Sequence, residues 1–146
     1  MSSERKSRWL FKITIVGPDD MLLREVMDAI NSNTVAVDGI RIGSRDLEAG
    51  SSEVRAVMMS PTKRAMDILF SLSYRGASAA IIVLRRPDPE IETKYRNEIR
   101  ENIGAGYPTR VFYVGDELNE EKRKELAGLF TSLIEEMVEA REKSDG

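Results

Sequence analysis

Ala79-Ala80-Ile81-Ile82-Val83-Leu84 places six apolar side chains in succession, so neither alternate face of the run carries a polar group. A strand of that kind avoids water on both sides, which is the pattern of a parallel sheet covered by helices. Its flanks agree. Pro61 suits the first turn of a helix from Thr62 to Ser73, and Pro89 opens a helix through Asn102 that ends at Gly104-Ala105-Gly106. A doubly buried strand between two helices rules out an all-α bundle and an all-β sandwich.

The rest of the chain repeats this alternation. Phe11 to Val16 is β-rich and ends at Gly17-Pro18, after which Met21, Leu22, Leu23, Val26, Met27 and Ile30 recur at helical spacing with Asp19 and Asp20 at the start. Asn31-Ser32-Asn33 breaks that helix. Thr34 to Ile42 is β-branched, Gly43 to Glu53 is polar and reads as a connection, and Val54 to Met59 is a further strand, so an antiparallel pair is expected. Arg110 to Val114 is another strand, and Leu126, Leu129, Phe130, Leu133, Ile134, Met137 and Val138 form the stripe of a final helix. The prediction is an open α/β sheet, mostly parallel with one antiparallel edge strand and helices on both faces. The expected organisation is a polar N-terminal tail over 1–10, a single α/β domain over 11–142 and a short tail over 143–146. In such sheets ligands sit beyond the carboxyl ends of the strands, which gathers Gly17 to Asp20, Met58 to Thr62, Arg85-Arg86 and Gly115 to Asn119 around one crevice.

Composition narrows the chemistry. The 146 residues are 41% apolar and 32% charged with a net charge of -3 spread along the chain, so no nucleic-acid partner is expected. Histidine and cysteine are absent, which removes the commonest general base and all thiolate chemistry. The start has no apolar stretch of a signal peptide, no run approaches a membrane span, and neither end carries a lipidation motif. A cytoplasmic protein with no membrane insertion or lipid anchor is the expectation.

Ser73-Tyr74-Arg75-Gly76-Ala77, the apolar strand and then Arg85-Arg86-Pro87-Asp88-Pro89-Glu90 resemble the centre of a Ras-superfamily small GTPase of the Rab-like kind. In that family a helix ends in a Tyr-Arg-Gly-Ala-like corner, a buried strand follows, and an Asp-Pro-Glu turn opens the next helix. The resemblance spans roughly Lys12 to Asn119. It implies a three-layer, P-loop-GTPase-like sheet, here truncated after the fifth main sheet strand, because one long helix follows Asn119.

The functional motifs depart from the family pattern. A phosphate-binding loop needs Gly-x-x-x-x-Gly-Lys-Ser/Thr, whose glycines and lysine wrap and neutralise phosphate while the hydroxyl holds magnesium. Counted from Gly17, those positions hold Leu22, Leu23 and Arg24, and the turn carries Asp19 and Asp20, which repel phosphate. The two Asp also suit a helix N-terminus. Thr34 resembles the switch threonine, or merely begins a strand. Met59, Thr62 and Lys63 stand where the resemblance implies the magnesium-linked Asp, the terminal-phosphate Gly and the water-orienting Gln. A thioether is a poor ligand for a hard cation. The base-reading motif aligns with Asp116-Glu117-Leu118-Asn119, with its Asn and Asp exchanged, or else is the acidic start of the last helix.

Normal GTP hydrolysis is therefore not expected, no catalytic residue or metal ligand is assigned, and no cofactor is required. The expected role is a regulatory or scaffolding protein-interaction module. Its partner face would lie on the second-switch-like segment, through Met58, Met59, Met66, Ile68 and Phe70, whose methionines adapt to varied contacts. The partner would be another GTPase-like or adaptor subunit, or a second copy. Two alternatives stay open: a divergent GTP/GDP switch using magnesium and Gly17, Pro18, Asp19, Asp20, Thr34, Asp116 and Asn119, and a receiver-like acidic pocket in which Asp19 and Asp20 bind magnesium. In the latter Lys63, Arg64, Arg85 or Arg86 would meet a phosphate.

Overall fold

The computed structural model describes residues 8–31, 33–62 and 71–145. In chain order these form β1 (Arg8–Val16), α1 (Asp20–Ile30), β2 (Thr34–Val37), β3 (Ile40–Ala49), β4 (Ser52–Pro61), β5 (Ala79–Leu84), α2 (Pro89–Asn102), β6 (Thr109–Tyr113) and α3 (Glu120–Asp145). The strands make one six-stranded sheet in the order β2-β3-β4-β1-β5-β6. β4, β1, β5 and β6 are mutually parallel, while β3 pairs antiparallel with both β2 and β4. The sheet is open and mostly parallel, as expected, but its antiparallel strand is not at the edge. β2 lies outside it.

That difference arises in two turns. The predicted strand over 34–42 is folded back at Asp38-Gly39, where φ is 49° and 83°. Positive φ at both central residues is the type I′ geometry that matches the twist of paired strands, and Asp-Gly is among its preferred sequences. The polar span over 43–53, expected as a connection, is instead strand on both sides of Gly50-Ser51, with Ala49 paired to Ser52. Gly50 alone has positive φ there, at 62°, as in a type II′ turn.

Alternation along β5 divides the core. Ala79, Ile81 and Val83 belong to a cluster with Phe11, Ile13 and Ile15 of β1, Leu22, Leu23, Val26, Met27 and Ile30 of α1, and Leu126, Phe130, Leu133 and Met137 of α3. Ala80, Ile82 and Leu84 join Val16, Tyr74 and Ile99 of α2 in a second cluster. Successive strand residues point to opposite faces, so the two clusters lie on opposite sides of β5. Each fully buried Leu, Ile or Phe contributes about 1.5–3 kcal/mol of hydrophobic stabilisation before ordering costs.

Of the helix predicted over 62–73, positions 63–70 lie outside the described residues, and Ser71 and Leu72 are helical. Its end is tied to β1 by side chains. Lys12 Nζ donates to the Leu72 and Arg75 carbonyls at 2.6 Å each, and buried Thr14 Oγ1 donates to the Ser73 carbonyl at 2.6 Å. Tyr74 is buried and its hydroxyl donates to Glu98 Oε2 of α2 at 2.5 Å. Beyond the expected domain bounds, β1 already begins at Arg8 and α3 continues to Asp145. Among the described residues no helix is long and apolar enough to cross a membrane.

Candidate functional site

The crevice at the carboxyl ends of β1 and β5 starts with a close approach. A methyl group on Gly17 would lie 2.3 Å from the Val83 carbonyl oxygen and 3.4 Å from Leu23 Cδ2. The chain then turns through Pro18 and enters α1 at once, with Asp19 as its N-cap. Asp19 Oδ1 accepts the Leu22 N–H at 3.2 Å, and its carbonyl accepts the Leu23 N–H at 3.0 Å. Helix N-termini attract anions because their first N–H groups lack partners. Here a carboxylate of the chain itself takes that place.

Three arginines complete the neutralisation. Arg85 Nε donates to Asp19 Oδ2 at 2.9 Å, and its Nη1 donates to the Asp116 carbonyl at 3.0 Å. Arg86 pairs with the Asp116 carboxylate. Arg41 of β3 forks onto Asp20, at 3.2 Å to Oδ1 and 2.9 Å to Oδ2. Asp19 and Asp20 are thus drawn to different partners, and among the described residues no group of three acidic side chains is arranged to hold a metal ion. Burial alone would raise the Asp19 pKa; the Leu22 N–H, the Arg85 guanidinium and the Met21 N–H outweigh it and hold the carboxyl below its ordinary value.

The phosphate-loop positions are equally committed. Leu22 and Leu23 are buried in the core, whereas Arg24 is exposed on the outer face of α1. Gly17, Pro18, Asp19, Asp20, Arg85, Arg86 and Asp116 are brought together, whereas Thr34 lies apart from them and Asn119 caps a helix. Thr34 sits in register with Gly43, Met58 and Ile13, so it lies level with the middle of β1 and three strands away, about 14 Å at the usual strand spacing. Asn119 Oδ1 accepts the Lys122 N–H at 2.9 Å, which makes it the cap of α3. Thr62 accompanies neither: its hydroxyl donates to the Gly39 carbonyl at 2.7 Å and secures the β2–β3 turn.

Of the expected partner face, Met58 is fully buried, because its parity along β4 matches Val54 and Ala56, which face the main core. Met59 points the other way and is half-buried. Met66, Ile68 and Phe70, with Lys63 and Arg64, lie outside the described residues. The residue that sequence reasoning missed is Arg41. Nothing in the local sequence marks it, since its pairing with Asp20 exists only once α1 is laid across β3.

An exposed rim surrounds the paired charges. Pro18, Met21, Pro87 and Ile91 line the same groove as Asp19, Asp20 and Arg85, and Met21 is 75% exposed. The arrangement offers adaptable apolar contacts around paired charges. The chain matches no protein-family model, and no curated protein is significantly similar to it.

Proposed function

We propose that this chain is a degenerate small-GTPase-like domain that has lost normal GTP hydrolysis and acts as a cytoplasmic regulatory or scaffolding module. A three-layer, P-loop-GTPase-like arrangement accords with the sheet order and with the antiparallel hairpin beside the parallel strands. One observation carries the functional part. The Leu22 N–H in the first turn of α1 is bonded to the Asp19 carboxylate, that carboxylate is bonded to Arg85, and buried Leu23 stands where a phosphate would need a lysine. A triphosphate entering there would have to displace a carboxylate from its own helix and break that carboxylate's ion pair with Arg85.

Titration with fluorescent GTP, GDP and ATP analogues, with and without magnesium, tests this. No saturable binding is expected below about 1 mM, which corresponds to roughly 4 kcal/mol of binding free energy. Binding at micromolar strength, or guanosine phosphates that copurify with the protein, would overturn the proposal in favour of a divergent nucleotide switch.

A further inference from the structure

We propose that β2 is a self-pairing edge through which two copies of this chain associate in antiparallel register, extending each six-stranded sheet into the other. The inference is independent of whether the crevice binds nucleotide. Val35 and Val37 of this strand are 58% and 51% exposed, and Ala36 is exposed on the opposite face, so among the described residues no element covers these three side chains. Natural sheets guard such edges with charges, prolines or bulges. Thr34-Val35-Ala36-Val37 has none of these devices, and three of its residues are β-branched.

The register follows from the turn. Val37 and Ile40 close the two-residue Asp38-Gly39 loop, so they exchange hydrogen bonds with each other, as does the Val35–Ile42 pair two residues on. Alternation then aims the N–H and C=O groups of Thr34 and Ala36 away from β3, along the open edge. A two-fold axis through Val35 sets Thr34 against Ala36 of the second copy, and Ala36 against its Thr34. All four outward N–H groups of the two strands then find carbonyls. The two Val35 side chains meet at a non-hydrogen-bonded pair, where cross-strand packing is closest.

Charge selects the orientation and the occupant. The exposed Asp38 carboxylate adjoins one end of β2 only. Parallel pairing would set two such carboxylates side by side, whereas antiparallel pairing separates them by six residue steps, about 20 Å and beyond the screening length in physiological salt. An uncharged, self-complementary edge suits a second copy of itself. Four-residue strands fall short of the roughly 1,200 Å² of stable complexes, so the association is weak, on the order of 100 µM.

Sedimentation equilibrium of the full chain tests the proposal. The weight-average mass should climb from 16.4 kDa towards twice that value as concentration rises. This rise should span about 10 µM to 1 mM. Val35→Lys and Val35→Glu each place like charges on the two-fold and should remain monomeric with unchanged circular dichroism. An equimolar mixture of the two should associate again, because the axis then joins opposite charges. Ala36→Pro removes an outward donor while sparing the bonds to β3, and should also abolish association. A wild-type chain that stays monomeric at 1 mM, single variants that associate as wild type does, or a mixture that fails to recover would each refute the self-pairing edge.

Discussion

Gly17→Ala isolates the reason this glycine is needed. An added Cβ would lie 2.3 Å from the Val83 carbonyl oxygen. Close carbon–oxygen contacts between strands sit near 3.3 Å, so the two backbones must part by about 1 Å. The neighbour is backbone of β5, a strand buried on both faces, and not the end of a side chain that can swing away. Overpacking of a well-filled interior costs about 1–3 kcal/mol, and the absence of a compliant partner puts this site near 3 kcal/mol. With an unfolding entropy of about 2.1 cal/mol/K per residue, a chain of 146 residues loses roughly 10 °C in Tm for that cost. Thermal and urea unfolding followed by circular dichroism would measure it. Gly128→Ala is the control: Gly128 lies within α3 with nothing within 4 Å of an added Cβ, and it should gain about 0.5–1 kcal/mol. A Gly17→Ala protein within about 2 °C of wild type would show that the turn yields to a methyl group, as a loose ligand-wrapping loop would, and would remove the packing argument.

Two further perturbations follow from carboxylate hydrogen bonds. Asp19→Ala should cost about 1–2 kcal/mol through the lost cap. Because the folded carboxyl is held below its ordinary 3.8, this contribution is present above that value and fades as pH falls below it. Urea midpoints of wild type and variant should converge in acid; a gap that stays constant from pH 7 to about 3 would contradict the carboxylate's role. Tyr74→Phe removes a hydrogen bond to the Glu98 carboxylate and should cost about 1–3 kcal/mol at neutral pH. Burial, then the Glu98 hydrogen bond and charge, raises the Tyr74 pKa above its ordinary 10.0, so wild-type stability holds below that value and declines above it as the unfolded phenol ionises. The variant should lose less over the same alkaline range, and an identical decline in both proteins would assign the effect elsewhere.

Much of the architecture was legible because it depended on local patterns. The run at Ala79–Leu84, the apolar spacing from Leu22 to Ile30, and the Asp88-Pro89 helix start are each read from neighbouring residues, and α2 occupies Pro89–Asn102 as expected. The polar span was misread for a physical reason. Ser44, Asp46 and Glu48 are exposed on one face of β3 and Arg45 is exposed on the other, so no apolar alternation marks this stretch as strand. Asp38-Gly39 carried the turn signal, yet β-branched residues on both sides read as continuous. In the crevice, Asp19 caps α1, in keeping with its place at a helix start, and Asn119 caps α3 at the start of the last helix. The Arg41–Asp20 fork and the burial of Met58 were not accessible, since one depends on a helix crossing a strand and the other on register within β4.

The position of β1 has a consequence for biogenesis. It leaves the ribosome first among the described strands, yet both of its lateral neighbours come later, β5 ending only at Leu84. Trp9, Phe11, Ile13 and Ile15 therefore emerge as a greasy segment that has β4 on one side only and lacks its second lateral neighbour until Leu84 has been translated. The β2–β4 meander, linked by two tight reversals, can assemble meanwhile from contacts close in sequence. Nascent chains of this protein should accordingly depend on holding factors until β5 arrives, and then become protease-resistant in a single late step.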